Sequence, residues 1–171
     1  MTFRLREGDA PAAVRPALAR YSAQVQWLKA VVQTARPRQW PKNLLVFAAP
    51  LAGASLGRNF GLGYALAAAA AFTAASAAVY FVNDVADAER DRQHPVKRFR
   101  AVASGRLPRV HALAVAVLCI AASLAVGFWI GEPRLSAVIG AYLVFSVLYS
   151  AVLARCQPAI QGSRSAVAQS R

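Results

Sequence analysis

Acid is what this sequence has least of. Seven Asp and Glu residues stand against twenty Lys and Arg, leaving a net charge of +13. Cysteine is nearly as scarce: Cys119 and Cys156 make neither a spaced metal pair nor a disulfide framework. Cys119 lies inside an apolar run, where a small buried thiol is the ordinary reading. Charge of either sign is missing from long segments, and with 57% hydrophobic and 16% charged residues the chain is too apolar for an ordinary soluble domain. Residues 1–22 lack the apolar centre of a secretory signal. A basic balance invites nucleic acid, but the basic residues are spread between apolar runs, so no nucleic-acid partner is expected. A membrane protein with basic cytoplasmic loops accounts for both the charge and the apolarity.

What is present falls into four parts. Residues 1–22, with scattered Arg, Pro and Ala, read as a disordered basic arm. Within 23–43, Trp27, Leu28, Val31, Val32 and Ala35 recur at helical spacing between Gln26, Lys29 and Gln33, the pattern of an interfacial amphipathic helix. The elbow Arg36-Pro37-Arg38-Gln39-Trp40-Pro41-Lys42-Asn43 follows it. The membrane domain, 44–153, offers four candidate spans at 44–56, 61–82, 110–130 and 135–153. The first is short and contains Pro50, and the second carries ten Ala between 65 and 78, which suits close helix packing. Residues 154–171 form a polar tail, expected to be disordered.

Lys and Arg number eight in residues 1–42, one at 57–60, seven at 83–109, one at 131–134 and three after 153. That alternation predicts a cytoplasmic N-terminus and a cytoplasmic 83–109 loop in an inner (plasma) membrane protein. The expected fold is all-α, a polytopic membrane bundle of four transmembrane helices.

Four of the seven acids crowd into Asn83-Asp84-Val85-Ala86-Asp87-Ala88-Glu89-Arg90-Asp91. On a helix, Asp84, Asp87 and Asp91 share one side, within about 60° of arc, and Glu89 points away. Carboxylates about 5–6 Å apart repel by about 3 kcal/mol per pair at an effective dielectric of about 20. A helix C-terminus adds to that penalty. Nearby arginines or a hard cation such as Mg²⁺ would relieve it. The basic run Lys97, Arg98 and Arg100 follows, and acid first, base second suits a metal–diphosphate ligand. Against this stand two plainer readings: purely topogenic basic residues, or a salt-bridged solvent helix with Asp87–Arg90 as one pair.

Two blocks carry a resemblance. Arg36-Pro37-Arg38-Gln39-Trp40-x-Lys42-Asn43, and Asn83-Asp84-x-x-Asp87-x-x-x-Asp91 leading into His94-Pro95-x-Lys97-Arg98-Phe99-Arg100, resemble the UbiA superfamily of intramembrane transferases. The similarity covers about residues 30–153, and Ala101 stands where the family usually has proline. Within that superfamily the blocks are similar to the branch that moves 5-phosphoribose from phosphoribosyl pyrophosphate to decaprenyl (polyprenyl) phosphate, with Mg²⁺, for cell-wall arabinan synthesis. The resemblance implies that Asp84, Asp87 and Asp91 ligate Mg²⁺. It also implies that Asn83 adds a polar contact and that Lys42, Lys97, Arg98 and Arg100 bind donor phosphates.

It further implies a larger bundle with a second acidic motif, of which this chain is about half. The tail then reads as a truncated or frameshifted end, and a homo-oligomer or a missing C-terminal half is the expected protein partner. Two alternatives are an aromatic prenyltransferase using the same acidic motif, and a non-catalytic four-helix membrane protein.

Overall fold

The computed structural model describes residues 11, 13–48 and 61–169, excepting the side chains of 46–47, 151 and 153–169. Helix α1 spans Arg15–Ala35. It begins inside the stretch expected to be a disordered arm, a correction with a local cause. Pro16 lies in the first turn, where its fixed φ and missing N–H are harmless, and helix formers follow it. Arg36 closes the helix, and an eleven-residue 3₁₀ helix, Pro37–Phe47, takes over with Pro41 inside it. So long a 3₁₀ run is uncommon. It occupies the start of the expected first span, 44–56, whose remaining residues 49–56 lie outside the described ones.

Helix α2 (Gly61–Ala86), the short helix α3 (Ala88–Gln93), helix α4 (Arg109–Trp129) and helix α5 (Pro133–Gln169) follow. Three helical segments are long and apolar enough to cross a membrane: Gly61–Ala86, Arg109–Trp129 and Pro133–Ser150. They answer to the second, third and fourth expected spans. The backbone of α5 runs on as helix to Gln169, past the polar boundary expected at 154. Polarity there marks where an apolar span ends, not where backbone hydrogen bonding ends.

Helices α2 and α4 make the main contact of the bundle. Small residues let the helices approach: Ala78 on α2 is buried with Ala112 and Ala116 on α4, and Ala71 and Ala75 are buried with Ile139 on α5. Large residues on α4 and α5 such as Val117, Leu118, Phe145 and Leu148 point outward, as lipid-facing positions should.

The α4–α5 turn is a Schellman motif. Gly131 has φ +74° and donates to the Phe128 carbonyl, while the Glu132 N–H reaches the Gly127 carbonyl at 2.9 Å. A Cβ at Gly127 would stand 2.9 Å from the backbone nitrogen of Ser136 and overlap its hydroxyl. Gly127→Ala is therefore expected to lower stability by about 1–3 kcal/mol. Thermal unfolding in detergent checks this against Gly140→Ala, where the added atom meets nothing within 4 Å.

The 94–108 loop is built like a small domain edge. Ala101, Val102 and Leu107 are buried against Ala30, Phe81 and Ala112, Ala103 is buried beside them in the chain, and the Leu107 N–H donates to the Ala101 carbonyl at 3.0 Å. Gly105, with φ +79°, makes the reversal between them. This folded-back loop delivers Arg100 to the end of α2.

Candidate active site

The acidic stretch straddles a break. Helix α2 ends at Ala86, Asp87 takes φ −87° and ψ −3°, and α3 starts at Ala88. The Asp87 N–H still donates to Asn83 and the Asp91 N–H to Asp87, both at 2.8 Å, on either side of the break.

Asp84 and Asp91 meet. Each side chain is only 4% exposed, and both reach one nitrogen: Arg100 Nη1 lies 2.7 Å from Asp91 Oδ2 and 3.5 Å from Asp84 Oδ1. Arg36 Nη2 closes on Asp84 Oδ1 from the other side at 2.8 Å. Two carboxylates so deeply set require such cations, because an unpaired buried charge is strongly destabilising. Asp87 does not join them. Its half-exposed side chain faces Arg90 at 3.6 Å, the pairing that the plainer sequence reading anticipated. Among the described residues no three His, Cys, Asp or Glu side chains form a metal-binding group.

A cavity of about 260 Å³ opens here, lined by Gln33, Thr34, Arg36, Asp84, Val96, Phe99, Arg100 and Ala101. Asn83 is half-buried beside it, with its carbonyl engaged by Asp87. Lys97 and Arg98 sit on an exposed 3₁₀ turn, Lys97–Phe99, outside the lining. The turn is shaped by His94 Nδ1, which accepts the N–H groups of Val96 and Lys97 at 3.2 and 3.3 Å. The Arg98 guanidinium stacks on Phe99 at 4.8 Å. Lys42 is exposed on the 3₁₀ helix Pro37–Phe47.

Arg36 and Gln33 line the cavity; the sequence puts Arg36 in the first resemblance block and Gln33 on the amphipathic helix, but assigns neither a role at the site. Nothing local in the sequence ties Arg36 to Asp84, 48 residues away. Ala101, in place of the expected proline, is buried and hydrogen-bonded and holds the loop.

Glu89 faces away, as its spacing implied. It pairs with Arg109 and, at 3.0 Å, with Arg92, whose Nε also donates to the Ala103 carbonyl. The hydrogen bond from Arg109, then the charge of Arg92, hold its carboxyl below the usual 4.5. A depressed carboxylate stabilises the fold fully above its ordinary value, and the gain fades as pH falls through the lowered one. Because Glu89 is exposed the effect is small. Unfolding curves below pH 4.5 are expected to weaken in the wild type and to flatten in Glu89→Gln.

Beyond the polar cavity lies an apolar one of about 560 Å³, lined mainly by Trp40, Leu44, Leu66, Ala70, Phe81 and Val115, with Asn43 and Thr73 as its polar members. No lining residue is common to the two, but neighbouring residues of the chain line them. Ala35 lines one and Arg36 the other, and Phe81 stands about 4.5 Å along the α2 axis from Asp84. Asn43 is tied to α2 by its Nδ2 donating to Thr73 Oγ1 at 3.1 Å.

Residues 44–160 match the UbiA prenyltransferase family. The chain belongs to that family. This UbiA-family chain is 46% identical over 123 residues to the decaprenyl-phosphate phosphoribosyltransferase of Mycobacterium tuberculosis, covering 70% of itself and 40% of that protein. It is 39% identical over 125 residues to the protein of that name in Mycolicibacterium smegmatis, and 41% over 123 residues to the one in Corynebacterium glutamicum. In these two the alignment covers 70% of this chain and 38% and 37% of the relative. The UbiA-family chain thus spans well under half the length of these relatives.

The donor set suits Mg²⁺ in one form only. Mg²⁺ commonly takes one or two carboxylates together with substrate phosphates, and Asp84 with Asp91 offers such a pair. A cage of all three aspartates is not what the side chains form.

Proposed function

We propose that the chain carries the donor-binding part of a membrane phosphoribosyltransferase. The reaction moves 5-phosphoribose from phosphoribosyl pyrophosphate to a polyprenyl phosphate. The bond between the anomeric carbon and the pyrophosphate oxygen breaks, and one forms from that carbon to an oxygen of the lipid phosphate. The observation that carries this reading is the Asp84–Asp91 pair, held by Arg36 and Arg100 at a polar cavity, about one turn along α2 from an apolar cavity able to take an isoprenoid chain. The names of the relatives agree with a decaprenyl phosphate acceptor.

Asp84 and Asp91 would hold Mg²⁺, with Asp87 apart from them. Bound there, the ion would neutralise charge building on the leaving pyrophosphate. Arg100, released from the two carboxylates, turns its fork to donor phosphate, a geometry guanidinium suits. Lys97, Arg98 and Lys42 draw the anionic donor to the rim, and Asn83 adds a polar contact. The active face is cytoplasmic, as the Lys and Arg distribution predicts, and the product would serve arabinan synthesis.

Membranes containing the chain are given either ribose-labelled phosphoribosyl pyrophosphate or labelled prenyl diphosphate. Label entering polyprenyl phosphate from the first supports the proposal. Label entering lipid-soluble product only from the second replaces it with an aromatic prenyltransferase. The engagement of Asp84 and Asp91 by arginines, with no metal-binding group of three such side chains among the described residues, favours a second reading, a membrane module that does no chemistry without a complement. Absence of product from either label in the purified chain, and its appearance on adding the remaining part of a relative, would establish that reading.

A further inference from the structure

Arg36 holds a backbone conformation that arginine disfavours. Its φ of 51° and ψ of 62° are left-handed, and it is the one non-glycine residue with positive φ among those described. Glycine would sit there unstrained. Capping α1 uses only the backbone N–H, which donates to Gln33 and which any residue but proline supplies. The side chain is therefore the reason for an arginine.

That side chain lies between Tyr80 and Asp84, four residues apart and so on one face of α2. The guanidinium carbon stands 4.8 Å above the Tyr80 ring centroid, and Nη2 is 2.8 Å from Asp84 Oδ1. A planar guanidinium can stack by its face and bond by its edge at once, which an ammonium cannot do. Asp84 needs such a hold. It sits in the last turn of α2, where the helix dipole disfavours an anion, and it shares Arg100 with Asp91.

We propose that Arg36 is a positioning residue: braced on Tyr80, it fixes the Asp84 carboxylate beside Asp91, so that a divalent cation carrying a diphosphate meets two preset oxygens. The nature of the ligand rests on the proposed function. The positioning rests on the side chains alone.

Two measurements on the purified full chain test it separately. The first is the unfolding midpoint in two backgrounds. In the wild type, Arg36→Gly is expected to lower the midpoint, because Asp84 loses its nearest cation. In Asp84→Ala it is expected to raise the midpoint, because only relief of the left-handed backbone remains. A shift of the same sign and size in both backgrounds would overturn the proposal.

The second is Mn²⁺ affinity with inorganic pyrophosphate, followed by electron paramagnetic resonance. Arg36→Gly is expected to weaken it by about tenfold or more, the scale for residues that orient metal ligands. Arg36→Lys should recover part of the loss and Tyr80→Leu reproduce part of it. Wild-type affinity in Arg36→Gly would reduce Arg36 to a helix cap. A wild-type chain that takes up no Mn²⁺ would count against the proposed function, and the sign of the midpoint shift would still decide the positioning.

Discussion

Asp84→Asn is expected to lower transfer of labelled phosphoribose into lipid by about 10² or more, the usual scale for losing metal-mediated charge stabilisation. The substitution keeps the shape and can still accept from Arg36, so it removes charge and little else. Asp91→Asn should fall comparably, because the two carboxylates share Arg100 Nη1. Asp87→Asn should cost less, since Asp87 stands apart from them, paired with Arg90. Initial rates at saturating donor and Mg²⁺, with unfolding midpoints as a fold control, measure all three. Unchanged rates in both Asp84→Asn and Asp91→Asn would remove the metal role.

The second large effect lies in the loop. Leu107→Ala is expected to destabilise the chain by about 2–5 kcal/mol, the range for truncating a fully buried leucine. Leu107 has no exposed surface and packs with Val102, Phe81 and Ala112. It pins the segment that presents Arg100, so donor binding should weaken along with stability. Val96→Ala, an exposed position on the same loop, is the control and should leave the unfolding midpoint nearly unchanged. A Leu107→Ala chain with wild-type stability would mean that the loop does not fold back as described.

The long uncharged runs were legible because a membrane span is a property of length and composition, and three of the four expected spans are helices of the right kind. The acidic stretch was legible as a site because acid is so rare elsewhere in the chain. Its internal geometry was not. Periodicity placed three aspartates on one side of a continuous helix, whereas the bend at Asp87 and the arginines around it sort them into a buried pair and an outlying residue.

Arg36 meets Asp84 across 48 residues, a pairing that no local pattern records. Ala101, Val102 and Ala103 are too short an apolar run to announce a buried loop. The start of α1 was missed because scattered Arg and Pro look like a solvated arm, although a proline in the first turn is a helix-start signal.

Equilibrium binding of labelled phosphoribosyl pyrophosphate to the purified chain tests the central claim most directly. Binding should require Mg²⁺, and it should weaken about tenfold or more in each of Asp84→Asn and Asp91→Asn. Equal binding in the presence of a chelator, or wild-type affinity in both variants, would contradict it.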